Sequence, residues 1–117
     1  EAHPDMSPAQ LTGLPWVGTP PSCILRAHVD AFFASAGREF RPGPTADSES
    51  TMRSMVASGM GAGILRLDQA AQAERHGELA IWPGYRSHTW LCWVARAGAR
   101  HSAAVDAVRG AVFEAWA

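Results

Sequence analysis

At 117 residues the chain is the size of one domain, and an apolar content of 47% excludes a disordered tail. Its net charge is −1, with ten arginines scattered among eleven acids, no lysine and no run of like charge. That excludes the basic stripe with which a nucleic-acid binder displaces counterions from phosphates. No apolar stretch is long enough to span a bilayer, and Glu1-Ala2-His3-Pro4 lacks the basic and apolar regions of a signal peptide. A soluble, cytoplasmic protein is expected.

Residues 1–13 are polar and rich in Pro, Gly and Ser, and read as an approach segment. Leu14-Pro15-Trp16-Val17, closed by Gly18-Thr19-Pro20-Pro21, reads as a buried strand and turn. Ser22 is placed to cap a helix whose core face is Leu25, Val29, Phe32, Phe33 and Ala36, stopped at Gly37. A second stripe on that helix, Ile24, Ala27, Ala31 and Ala34, exceeds what one core contact can use and predicts a meeting with another subunit or segment. Pro42, Gly43 and Pro44 mark a connector or edge strand. Asp47 or Ser48 is placed to cap a helix through Met52, Met55 and Val56, ended by Gly59. Ile64-Leu65 is a short strand, Asp68 a cap for a third helix ended at Gly77, and Leu79, Ile81 and Trp82 another strand. Trp90 to Ala95, apolar on both faces, predicts an interior strand. Ser102 caps a last helix with Val105, Val108, Val112 and Trp116 on one face. This alternation predicts an α/β fold with a mostly parallel sheet flanked by helices.

Few residues carry chemistry. Gly59-x-Gly61-x-Gly63 has a helix before it and a strand after it, the reverse of a dinucleotide loop, so its glycines serve a helix end and close packing. His3, His28, His76, His88 and His101 are dispersed. His88 lies four residues before Cys92, roughly 13 Å on a strand and too far for one metal. Cys23 and Cys92 sit in apolar segments and read as buried free thiols. The chain has no G-x-S-x-G motif and no Cys/His pair that its spacing brings together. No enzyme, no metal and no cofactor is expected. The five tryptophans, without a basic groove beside them, read as core or interface residues.

The order of landmarks is more telling. LPWV is followed by R-x-x-x-D-x-F-F (Arg26 to Phe33), A-G-R-E-F-R-P, and D-S-E-S-T-M-R-S-M-V-A-S-G-M-G-A-G-I-L (Asp47 to Leu65). Then come H-G-E-L-A-I-W-P (His76 to Pro83), L-C-W-V-A-R (Leu91 to Arg96) and H-S-A-A-V-D-A-V-R-G-A-V (His101 to Val112). This order resembles the effector-binding (substrate-binding) domain of LysR-type bacterial transcription regulators, mainly its second lobe, from about Leu11 to Trp116. The resemblance implies a periplasmic-binding-protein-like lobe, truncated, with residues 14–83 as second lobe and 84–117 as a return segment toward the first. It implies that the winged helix-turn-helix of such regulators lies outside this chain, so that DNA is a partner only through that part. One departure is Arg66, which stands where the family usually has proline.

Gly18-Thr19 and Asp47-Ser48-Glu49-Ser50 follow predicted strands and lie at or near helix starts. In open α/β sheets ligands gather beyond the carboxyl ends of strands, where helix N-termini offer free N–H groups. Either these residues only cap helices, or they cap and also touch an effector, as the matching positions do in the family. Asp47 and Glu49 make a plain dicarboxylate a poor fit, and an amine-bearing or neutral effector, or one read mainly by backbone N–H groups, a better one. The resulting expectation is a small-molecule effector sensor that self-associates. A solute-binding protein of the same fold is the alternative, with the absent signal peptide against it, and a small enzyme is a third class that no constellation supports.

Overall fold

The extended segment Leu14–Thr19 lies between the two core clusters of the residues before His88, and its alternation separates them. The structure, a computed structural model, describes residues 3–99 and 102–116. It divides after Ser87 into two compact units.

In the first unit, successive side chains of the extended segment point to opposite faces, as any extended backbone requires. Trp16 enters a cluster with Leu11, Val29, Phe32, Phe33 and Phe40, all buried. Val17, next in sequence, enters a separate cluster with Ala46 and Met52, backed by Met55, Val56 and Leu65. The first cluster is built on α2 (Ile24–Ser35) and the second on α3 (Glu49–Ala57). A short α1 (Pro8–Leu11) carries a capping box between Ser7 and Gln10, and α4 (Leu67–Arg75) buries Ala73. Aromatic rings dominate the α2 side: Trp16 meets Phe33 edge-on at 5.1 Å, and Phe33 meets Phe40 likewise at 5.1 Å.

The parallel sheet expected from the sequence does not form. Among the described residues the only β pairings are two isolated parallel bridges, Trp16 with Ala62 and Gly18 with Thr45. The cause lies in the donors. Around Ala62, the Val17 N–H reaches the Ala62 carbonyl at 2.8 Å and the Ala62 N–H reaches the Pro15 carbonyl at 2.9 Å. Extending that pairing back toward Met60 needs an N–H from Pro15, which has none. On the other edge, the Gly18 N–H bonds the Pro44 carbonyl at 2.8 Å and the Ala46 N–H bonds the Gly18 carbonyl at 2.9 Å. The preceding rung there needs an N–H from Pro44. Each ladder is therefore blocked toward its amino end, and the three segments run parallel without becoming a sheet. Leu79, Ile81 and Trp82 also form no strand. Trp82 instead anchors by its indole N–H to the Met6 carbonyl at 3.1 Å.

The helices match expectation better than the strands. Val29, Phe32 and Phe33 are the buried face of α2, while the second stripe, Ile24, Ala27, Ala31 and Ala34, is exposed. Helices α2, α3 and α4 all end in one hydrogen-bond motif with Gly37, Gly59 or Gly77 at positive φ. In α2 the Gly37 N–H bonds the Ala34 carbonyl and the Arg38 N–H bonds the Phe33 carbonyl. Met60 to Met55 and Glu78 to Ala73 repeat the longer bond in α3 and α4. The helix starts are less regular. Cys23, not Ser22, is the N-cap of α2, and Arg66, not Asp68, that of α4; neither uses its side chain to cap.

The second unit holds a run without regular secondary structure from His88 to Arg96, a 3₁₀ turn (Ala97–Ala99) and α5 (Ala103–Ala115). Trp90–Ala95 is not the interior strand its composition predicts: Trp90 is 90% exposed, and Leu91 and Val94 are exposed too. A strand apolar on both faces needs neighbours on both, and none of the described segments pairs with it. No residue of α5 is buried. Neither thiol is buried either: Cys23 is half-buried, Cys92 is exposed, and both are free.

Candidate functional site

The three parallel segments all hand over to a helix at their carboxyl ends. Leu14–Thr19 leads through Pro20 and Pro21 to α2, Ala46 leads to α3, and Leu65 leads to α4. The Gly18–Ala46 hydrogen bond brings the two expected site segments side by side, so that Gly18 and Thr19 neighbour the start of α3.

Within this group the roles differ. Gly18 is buried, and a Cβ on it would lie 3.0 Å from the Phe40 ring, so the glycine leaves room for that aromatic. Thr19 is 6% exposed. By alternation its side chain lies on the Val17 face, the side of α3. Its Oγ1 is buried without a hydrogen-bond partner, which costs about 1–3 kcal/mol wherever such a group stays unpaired. Asp47 is exposed. Ser48 caps α3: its Oγ accepts from the Thr51 N–H at 3.2 Å, lies 3.1 Å from Ser50 Oγ, and donates to Thr51 Oγ1 at 2.8 Å. Three hydroxyls thus gather on the first turn of α3.

Glu49 is turned away from that cluster. Its Oε1 accepts the Arg66 N–H at 3.2 Å and its Oε2 lies 3.7 Å from the Arg66 guanidinium. Arg66 also reaches Asp68 at 2.7 Å. The carboxylate of α3 therefore braces the start of α4, where the single charge of Arg66 is shared between Glu49 and Asp68. Further along, Arg53 of α3 grips Glu78 beyond α4 through two bonds, Nε to Oε2 at 2.6 Å and a second at 2.8 Å. That bond to Arg53 holds the Glu78 carboxyl below its ordinary value. Among the described residues no three of His, Cys, Asp and Glu converge where a metal ion could sit. Of the five histidines, His101 lies outside the described residues.

Comparison with known proteins decides what this scaffold is. The model of the LysR substrate binding domain family matches residues 1–117. The chain belongs to that family. No curated protein and no solved structure matches it.

As a LysR substrate binding domain it is an effector-binding domain of a regulatory family. Among the described residues no helix is long and apolar enough to cross a membrane. Two features of the site escaped the sequence. The start of α4 joins the other two helix starts, with Arg66 as its charged member; the same rule of strand end followed by helix start was available at Leu65-Arg66-Leu67. The Arg53–Glu78 clamp spans 25 positions, and no local pattern announces it.

Proposed function

We propose that this LysR-family domain senses a small-molecule effector at Gly18, Thr19 and Asp47–Ser50, and that the bound state controls transcription through a DNA-binding domain outside this chain. Residues 14–83 serve as the second lobe, and residues 84–117 return toward the first. The observation that supports the reading is the Gly18–Ala46 hydrogen bond, which sets Gly18-Thr19 beside the start of α3, whose first turn holds three hydroxyls. Asp47 favours an amine-bearing or neutral effector over a dicarboxylate, while Glu49 shares Arg66 with Asp68. The regulator works in the cytoplasm of a bacterium, assembles with copies of itself, and shifts between states that differ in lobe closure.

The test is a thermal-shift screen of metabolites on the regulator that carries this domain, repeated on Thr19→Val and Ser48→Ala. Thr19→Val removes an unsatisfied polar group, so the unliganded variant is expected to be as stable as wild type or more stable by about 1 kcal/mol. Its ligand-induced shift is expected to vanish. An effector whose shift survives both substitutions unchanged would place the site elsewhere.

A further inference from the structure

The first unit brings together a serine and a histidine that lie 59 positions apart in the chain. Ser87 Oγ stands 2.6 Å from His28 Nδ1. Neither residue belongs to the strand-end group at Gly18, Thr19 and Asp47–Ser50. We propose that Ser87 is an acyl-acceptor site, activated by His28, which takes an acyl group from a donor of the thioester or acyl-phosphate class.

Both partners are fixed by their surroundings. His28 lies on α2 directly before Val29, and the burial of Val29 and Phe32 sets the rotation of that helix. The segment that carries Ser87 is fastened to the same helix by Tyr85. Its ring centroid lies 4.9 Å from that of Phe32, and its hydroxyl donates to the His28 carbonyl at 3.3 Å. Two residues beyond that anchor, Ser87 is exposed, while His28 is half-buried. The hydroxyl is thus open to a donor arriving from solvent, and the imidazole is already in place beside it. A serine hydroxyl alone is a weak nucleophile; a base within hydrogen-bond reach, about 2.6–3.2 Å, activates it.

With its lone pair on Nδ1, His28 accepts the hydroxyl proton as Ser87 Oγ attacks the acyl carbon. The bond that forms is the Oγ–acyl ester. The bond that breaks joins the acyl carbon to the sulfur or phosphate oxygen of the donor, and the proton leaves with that group. Nothing is oxidised or reduced. The ester has no hydroxyl hydrogen left to donate to His28, so acylation cuts the tie between this segment and α2. The chain has no lysine, so no side-chain amine competes for the donor.

The probe is p-nitrophenyl acetate, with acetylation of each serine followed by peptide mass spectrometry. Ser54 and Ser58 are exposed and serve as references. Ser87 is expected to be acetylated roughly tenfold or more faster than either. In His28→Gln its rate is expected to fall to theirs, and unchanged rates at Ser54 and Ser58 verify that the variant is folded. The wild-type chain in concentrated urea gives the same comparison without a substitution: there all three serines are expected to react alike. A Ser87 no faster than its references overturns the proposal. So does an advantage that survives His28→Gln or urea, or acetyl groups found on other side chains with Ser87 unmodified.

Discussion

Arg66 shows how one side chain departs from a family habit without disturbing the backbone. Its φ of −60° is the value that proline enforces, so the position keeps the geometry of the residue that usually stands there. What arginine adds is an N–H for Glu49 and a cation for Asp68. Arg66→Pro should then be close to neutral for stability, within about 1 kcal/mol, because a stiffer unfolded chain offsets the lost hydrogen bond. A chemical denaturation midpoint far below wild type would contradict this. Gly61 is the opposite case. A Cβ there would lie 2.5 Å from the Pro15 carbonyl oxygen and 2.8 Å from its carbon, and neither backbone atom can move without breaking the Trp16–Ala62 bridge. Gly61→Ala is expected to destabilise by about 2–3 kcal/mol. That corresponds to a melting temperature lower by roughly 10 °C or more in a domain of this size.

Among elements, α3 does most to tie the first unit together. Its core face covers Val17, its first turn meets α4 through Glu49 and Arg66, and its middle meets the segment after α4 through Arg53 and Glu78. The last pair gives the fold a pH dependence of definite sign. Glu78 has its carboxyl held down by the hydrogen bond from Arg53, against an ordinary value of 4.5. A depressed carboxyl contributes stability fully above its unfolded value and loses it as pH falls through its folded value. Glu78→Gln should therefore melt below wild type at neutral pH, and the two curves should converge as the pH drops below 4.5. A gap that stays constant down to acid pH would mean that the ion pair contributes nothing. The helices and their glycine ends were legible because each is a local pattern of apolar spacing and a left-handed stop. The strands were not: their apolar content was read correctly, but Pro15 and Pro44 remove the donors that would extend the ladders, and strand pairing is a property of two segments at once. The cap of α4 was misplaced for a similar reason, since Asp68 has the side chain of a cap and pairs with Arg66 instead. The proximity of Gly18-Thr19 to Asp47–Ser50 could be inferred from the strand-end rule. The unpaired state of Thr19 could not, because it depends on what every neighbour does with its own hydrogen bonds.

For the whole molecule, the exposed apolar surface matters most. Ile24 on α2 is 62% exposed, and Trp90, Leu91, Val94, Phe113 and Trp116 in the second unit are exposed as well. Each large side chain left in water forgoes roughly 1.5–3 kcal/mol of burial, and soluble monomers seldom carry so much apolar surface. The chain should associate with itself at micromolar concentration, giving a dimer or larger in light scattering. Substituting Trp90 and Leu91 by glutamate should lower the apparent mass. A monodisperse monomer of 12.5 kDa would refute this. Association should bring no affinity for duplex DNA. With a net charge of −1 and no clustered basic stripe, the chain has little with which to displace counterions from phosphates, and a saturable, sequence-dependent gel shift by this chain at physiological salt would be incompatible with that.

The adjacency of Trp16 and Val17 has one more consequence, for how the chain reaches this arrangement. With only two bridges along the central segment, backbone hydrogen bonds offer weak control over alignment. A slip of one residue would exchange the two faces, pressing an indole into the slot beneath α3 that holds a valine and leaving the ring cluster around Phe32 and Phe33 with a hole. Both mistakes cost kilocalories. The unequal sizes of two neighbouring side chains thus select one alignment over its one-residue slips.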